Sequence, residues 1–290
     1  MFQAQSVVIG GKVYVGGGNT GDDETDSLVF EYSLSEDKWN ILPPAPVTLF
    51  GLGQLIGELV IVGGKIQQKV YNSAYVFDKF TRRWKDSLPP LNSARCVPTC
   101  LGITSALIAC GGFSEMNEVL SSIEIIDCDS FEWQVAGYLS RPATLCYSSV
   151  AVVQDSIFML GGYSSSTACS VTNTVHITSV SKLTSPAGIT PYAWKCLPPT
   201  PHFQSTAGTM GSCILAVGGS SLPYSPPVHK EIYAYSPTTE SWIKVGELPY
   251  AACHTTVTTL ATGELFVIGG WVRPGEFKRS HAVYKGSVSQ

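Results

Sequence analysis

Arg95, His202 and His254 are the side chains of this sequence best suited to move a proton or grip an anion. An imidazole titrates near neutrality and a guanidinium stays charged, so the three could do general acid–base work or pair with a carboxylate. Their surroundings in sequence offer no ready partners. The five histidines, His176, His202, His229, His254 and His281, are scattered, and no cluster of His, Glu and Asp has metal-ligand spacing. The nucleophile elbow GxSxG and the phosphate-binding glycine loop are also missing. The reading from local motifs is therefore no catalytic residue, no cofactor and no metal. The nine cysteines (Cys96, Cys100, Cys110, Cys128, Cys146, Cys169, Cys196, Cys213 and Cys253) are odd in number and contain no CxxC. That pattern reads as reduced, mostly buried thiols and a cytoplasmic setting. Cys96 and Cys100 fall on one face of a strand and read as small core residues.

What would position these residues is a repeat. Six apolar runs end on a glycine pair: VYVGGG, LVIVGG, LIACGG, IFMLGG, ILAVGG and LFVIGG. The first glycines stand at 17, 63, 111, 161, 218 and 269, in steps of 46, 48, 50, 57 and 51. A period of roughly 50 residues is that of propeller blades. Trp39, Trp84, Trp133, Trp194 and Trp242 follow in phase, and in four units a large apolar residue (Tyr32, Phe77, Ile126, Tyr235) precedes the Trp by seven. Leucine and proline come after each, as in WNILPP and WKCLPP. Unit two shows four short strands: GLGQLI, ELVIV, SAYVFD and RRWKDS, with turn residues between. The glycine pair ends the second strand, where positive φ and close backbone approach suit glycine. One such sheet cannot bury two apolar faces alone, whereas stacked neighbours can.

Composition agrees and removes other classes. Hydrophobic residues make up 44% and charged ones 14%, enough apolar surface for a sizeable core. A net charge of -4, with no clustered Lys/Arg surface, argues against nucleic acid as partner. The opening MFQAQSVVIGGKVYVGGG reads as neither a secretory signal nor a membrane anchor. The acidic stretch GDDETDS, residues 21–27, reads as a solvated loop without calcium-loop spacing.

Glycine pair, aromatic residue, then Trp seven later, repeated across essentially the whole chain, resembles the kelch repeat of kelch-type β-propellers. The resemblance implies an all-β fold: one six-bladed propeller domain with four-stranded antiparallel blades near 1–46, 47–92, 93–142, 143–201, 202–250 and 251–290. It also implies a protein-binding rim, made by the connections between second and third strands together with the blade-to-blade connections. Strand parity places there Phe50, Lys65, Arg95, Phe113, Tyr147, Tyr163, His202, Phe203, His254 and Trp271. The function expected is recognition of a partner segment by buried aromatics and an Arg–carboxylate pair. Ubiquitin-ligase or cytoskeletal components would join through a longer parent chain. The alternative is an enzyme such as a sugar mutarotase-like isomerase, using Arg95, His202 and His254; a copper oxidase would need two Tyr and two His converging on one metal.

Two units depart from the pattern. Unit four has 33 residues between Gly161 and Trp194 where the others have 21 to 24, an insertion expected between its third and fourth strands. In unit six, seven beyond Tyr284 lies past Gln290. A fourth strand from a longer parent, or a three-stranded last blade with an open edge, is expected there.

Overall fold

The computed structural model describes residues 4–18, 26–139, 149–163, 171–183, 194–222, 225–260, 262–273, 278–279 and 283–286. These hold six antiparallel meanders, the blades, five of four strands and one of three. The chain divides into two compact units, residues 4–139 with blades one to three and residues 140–290 with blades four to six.

Blade two is representative. Its inner strand Gly51–Leu55 turns back through Ile56 and Gly57, at φ of 53° and 73°, into Glu58–Val62. Two consecutive left-handed residues are what a type I′ hairpin requires. The third strand Ala74–Asp78 passes through a four-residue turn, tipped by Arg82 at φ 51°, to the outer strand Arg83–Lys85. Asp78 Oδ1 accepts from the Phe80 and Thr81 amides at 2.8 and 3.1 Å, holding the turn. This turn explains the spacing of seven, because it places the aromatic residue directly opposite the Trp. The pairs are Tyr32–Trp39, Phe77–Trp84, Ile126–Trp133 and Tyr235–Trp242. Ring centroids of the three aromatic pairs are 5.0 to 5.5 Å apart.

The Trp side chains also tie blades together. Trp84 Nε1 donates to the Pro43 carbonyl of blade one at 2.9 Å, and Trp133 Nε1 to Pro89 of blade two at 3.0 Å. In the other unit, Trp242 Nε1 donates to Pro198 of blade four at 3.0 Å. The leucine–proline motifs after Trp39, Trp84 and Trp194 are thus the acceptors for the Trp of the following blade.

The glycine pairs of blades two and five are backbone junctions. A Cβ on Gly63 would lie 2.2 Å from the Arg95 carbonyl oxygen of the next blade, and one on Gly218 2.2 Å from that of Ala252. The second glycine of the pair then bonds across: Gly64 N–H to Arg95 at 2.8 Å, Gly219 N–H to Ala252 at 2.9 Å. Only a residue without a side chain allows both. The second strand stops at the pair in blades two, three and six. In blades four and five it runs on, as Ser156–Tyr163 and Cys213–Leu222, with a register slip at the glycines. That corrects the expected strand ends, since a bulge absorbs the same turn without breaking the ladder.

Faces between blades form the core. Val29, Leu42, Phe50, Leu52, Leu59 and Phe77 fill the space between blades one and two, and Val60, Val62, Leu88, Leu107, Ile126 and Trp133 that between two and three. Ala151, Leu160, Val175, Ile214 and Tyr235 do so between blades four and five; Leu215, Val217, Ile232, Leu248, Leu265 and Val267 between five and six. The Gln5 side chain joins three inner strands, donating to Pro98 and accepting from Cys100 and Leu52 amides.

The insertion of blade four follows its third strand, Val171–Ser179, with one helical turn, Val180–Leu183, ahead of the outer strand Lys195–Leu197. Blade six has three strands among the described residues, Thr256–Thr259, Leu265–Ile268 and Val283–Gly286. A groove of about 280 Å³ runs beside Tyr284, walled by Ile232, Leu248, Pro249, Leu265 and Val267.

Candidate functional site

Phe50, Lys65, Arg95, Phe113, Tyr163, His202, Phe203, His254 and Trp271 stand after a glycine pair or ahead of an inner strand. Antiparallel bridges hold the two segments together in blades two, three, five and six: Thr48 to Lys65, Cys96 to Phe113, Phe203 to Ser220 and Cys253 to Trp271. Ahead of the inner strands stand four non-glycine residues at positive φ: Leu49 (50°), Val97 (53°), Gln204 (57°) and His254 (53°). Hydrogen bonds link them in adjacent blades, Val97 N–H to Leu49 O at 2.7 Å and His254 N–H to Gln204 O at 3.3 Å. A β-branched valine in the left-handed region is uncommon and persists only where packing and bonding impose it.

Burial sorts the candidates. Phe50 is fully buried in the core between blades one and two, and Trp271 is 7% exposed. His254 is also buried, its ring set edge-on to Trp271 at 5.4 Å, and burial pushes its pKa down to about 3. Lys65, Phe113, His202 and Phe203 are half-buried and reach solvent. Tyr163 pairs through its backbone with Val171, and Tyr147 lies outside the described residues.

Arg95 requires a correction. The sequence reading offers its guanidinium to a partner's carboxylate, but the side chain is 0% exposed and already engaged. Nη1 donates to the carbonyls of Gly111 and Ser122 at 2.8 and 3.1 Å, and Nη2 to Ser122 Oγ and Glu124 Oε1 at 2.9 and 2.5 Å. Glu124, equally buried, also accepts from the Asn92 and Ser93 amides and from Asn92 Nδ2, at 2.7 to 3.1 Å. The network binds the approach to blade three to its third strand. Its physical reason is desolvation: a buried arginine must find every donor an acceptor, and an acid 29 residues further on supplies the charge. Two of the three acid–base candidates of the enzyme reading, Arg95 and His254, are therefore buried.

In the unit of blades four to six, the structure brings together a group the sequence reading did not assemble. His202 and His229 stack with centroids 3.7 Å apart and planes 4° from parallel. Glu231 Oε2 lies 3.5 Å from His229 Nδ1 and 3.9 Å from His202 Nε2. Ser221 Oγ bonds His229 Nε2 at 2.6 Å. Burial, then His229, push the His202 pKa down, and Glu231 opposes them. Glu231 is held below the ordinary carboxylate value, first by its own backbone N–H and then by that of Lys230. His202 lies on the approach to the inner strand, whereas His229 and Glu231 alternate along the third strand, Ser225–Ser236. The i, i+2 spacing on a strand was the available signal, because it puts both on one face.

On the unit of blades one to three, connection tips reach into solvent. Lys65–Ile66 and Lys69–Val70 form a small hairpin, with Ile66 45% exposed and Lys69 over the Tyr71 ring at 5.2 Å. The corresponding connection of blade three exposes Met116 to 84%. Opposite, the turn tips carry Ile56, Phe80 and Phe131, also exposed.

The repeat junctions find their counterpart among known proteins. Residues 47–270 match the KLHDC2/KLHL20/DRC7 Kelch-repeats domain, and residues 2–46 match the Kelch motif. The chain belongs to the kelch-repeat family. Its fold class is accordingly the all-β, six-bladed propeller of kelch repeats. Kelch-like protein 25 of Xenopus tropicalis is 24% identical over 262 residues, 85% of this chain and 41% of that protein. Kelch-like protein 40 of Mus musculus is 24% identical over 263 residues, covering 84% and 40%. An F-box/kelch-repeat protein of Arabidopsis thaliana is 24% identical over 241 residues, covering 80% and 63%. The kelch chain thus spans about two fifths of the length of the first two relatives. The solved structure of YjhT has the same fold, with a TM-score of 0.77 at 14% identity, over 97% of this chain and 93% of that one.

Proposed function

We propose that this kelch propeller is a protein-recognition module, holding a segment of a partner protein on the rim formed by the second-to-third-strand connections. The observation that carries the reading is the character of those connection tips. In blades two and three they present Lys65, Ile66, Lys69, Phe113 and Met116, long or apolar side chains at least partly open to solvent. Methionine adapts to irregular apolar partners, and lysine stems cover apolar surface while their heads meet carboxylates. The rigid ladders beneath mean that little order has to be acquired on binding. Kinship with Kelch-like and F-box/kelch-repeat proteins supports protein partners in general. A scaffold or substrate-adaptor role, with ubiquitin-ligase or cytoskeletal components joined through a longer chain, and a cytoplasmic location, are part of the same proposal. Seven free cysteines among the described residues accord with a reducing compartment.

The test is a quantitative pull-down comparing the wild-type chain with Ile66→Asp/Met116→Asp and, as control, Ile56→Asp/Phe80→Asp on the opposite turns. Each variant is first verified by its melt. Partners retained by the control and lost from the connection-tip variant support the reading. Loss from the control alone, or from neither, refutes it.

A further inference from the structure

We propose that His202, His229 and Glu231 form a binding site for a divalent transition-metal ion of the zinc type on the rim of blade five. Three donor atoms, His202 Nε2, His229 Nδ1 and Glu231 Oε2, lie within 4.8 Å of one another. The carboxylate oxygen stands 3.5 and 3.9 Å from the two nitrogens. With metal–ligand bonds of about 2.0 to 2.1 Å, a tetrahedral site separates its donors by roughly 3.3 Å, so closure takes movements of a few tenths of an ångström along these edges. The parallel rings must also tilt, so that both lone pairs meet at one point. The side chains, 13%, 20% and 25% exposed, border solvent on one side, where they have room for this.

Two features separate this group from an ordinary surface ion pair. First, His202 Nε2 is buried and has no hydrogen-bond partner among the described residues, its distance to Glu231 being too long for one. A buried polar atom left without a partner is costly, and an ion at this point would satisfy it. Second, His229 already commits its other nitrogen, Nε2, to Ser221 Oγ at 2.6 Å. Such an outer contact fixes the ring and leaves Nδ1 for the ion, as in well-ordered metal sites. Two imidazoles and one carboxylate suit zinc better than calcium or magnesium, and three protein ligands leave one position open toward solvent. Other candidates do not compete: Arg95 and Glu124 satisfy each other, and His176 with Cys196, 3.5 Å apart, offers only two donors among the described residues.

The ion site is independent of the partner reading, since it is tested on the isolated full chain. After stripping with chelator, the protein is titrated with zinc chloride by calorimetry under a non-thiol reductant, and with cobalt(II) by visible absorption. Wild type is expected to take up zinc and to give cobalt d–d bands without a thiolate charge-transfer band. His202→Ala, His229→Ala and Glu231→Gln are each expected to remove one equivalent or weaken it at least tenfold, the lower end of what even outer-contact changes cost. No zinc uptake by the wild-type chain overturns the proposal whatever the variants do. Uptake unchanged in all three, or cobalt carried on thiolate, overturns it equally.

Discussion

Replacing Arg95 by alanine is expected to cost about 3 to 5 kcal/mol of folding stability, the range for breaking one half of a buried ion pair. The size follows from what is left behind. Arg95 and Glu124 are both 0% exposed, so the variant strands a carboxylate in the interior with only the Asn92 and Ser93 groups to neutralise it. It also leaves the Gly111 and Ser122 carbonyls short of a donor. Against a typical stability of about 5 to 15 kcal/mol this is a large fraction. Urea unfolding followed by tryptophan fluorescence reads it as a lower midpoint. The double variant Arg95→Met/Glu124→Leu removes both charges at once and is expected to fall well short of the sum of the two single losses. A single-variant loss below about 1 kcal/mol, or strict additivity in the double, would refute the description of Arg95 as a structural rather than a ligand-binding residue.

Other perturbations separate the repeat's features. Gly218→Ala is expected to unfold the chain at markedly lower temperature than Gly211→Ala: both have positive φ, but only the first would put a Cβ 2.2 Å from a carbonyl oxygen; equal melts would contradict the junction role of the glycine pair. Trp133→Ala is expected to cost about 3 to 5 kcal/mol and Trp133→Phe distinctly less, the remainder reflecting the bond to Pro89. If phenylalanine is as damaging as alanine in denaturant melts, packing is not the main term. Because burial holds His254 neutral to about pH 3 while an unfolded histidine takes its proton near pH 6.5, the unfolded state binds more protons between those values. Stability is therefore present above pH 6.5 and lost progressively as the pH falls toward 3, and His254→Gln should flatten that acid limb; an unchanged slope would remove His254 as its cause.

The fold was legible because its signals are local. A spacing of seven corresponds to two strands joined by a four-residue turn, and two consecutive glycines mark in the sequence a place where backbone meets the backbone of the next blade. Which residues follow a glycine pair or precede an inner strand was legible by the same parity. What the side chains do there was not, because that depends on partners far along the chain. Arg95 reads as a free cation until Glu124, on another strand of the blade, is seen to fill its fork. His202 reads as a lone histidine until the third strand carries His229 and Glu231 beside it. Phe50 and Trp271 read as contact aromatics, yet both are buried, Phe50 between blades one and two and Trp271 against the His254 ring, since large apolar side chains gain more by burial than by exposure.

The most direct measurement is photocrosslinking from single rim positions. A benzophenone amino acid placed at Met116, and in a second protein at Phe80, is irradiated in cells of the source organism, and the adducts are identified by mass spectrometry. Both positions are open to solvent, at 84% and 100%, so accessibility does not decide the outcome. Recognition on the second-to-third-strand rim gives discrete protein adducts from position 116 and none in common from position 80. Adducts only from position 80, or the same diffuse set from both, would contradict it.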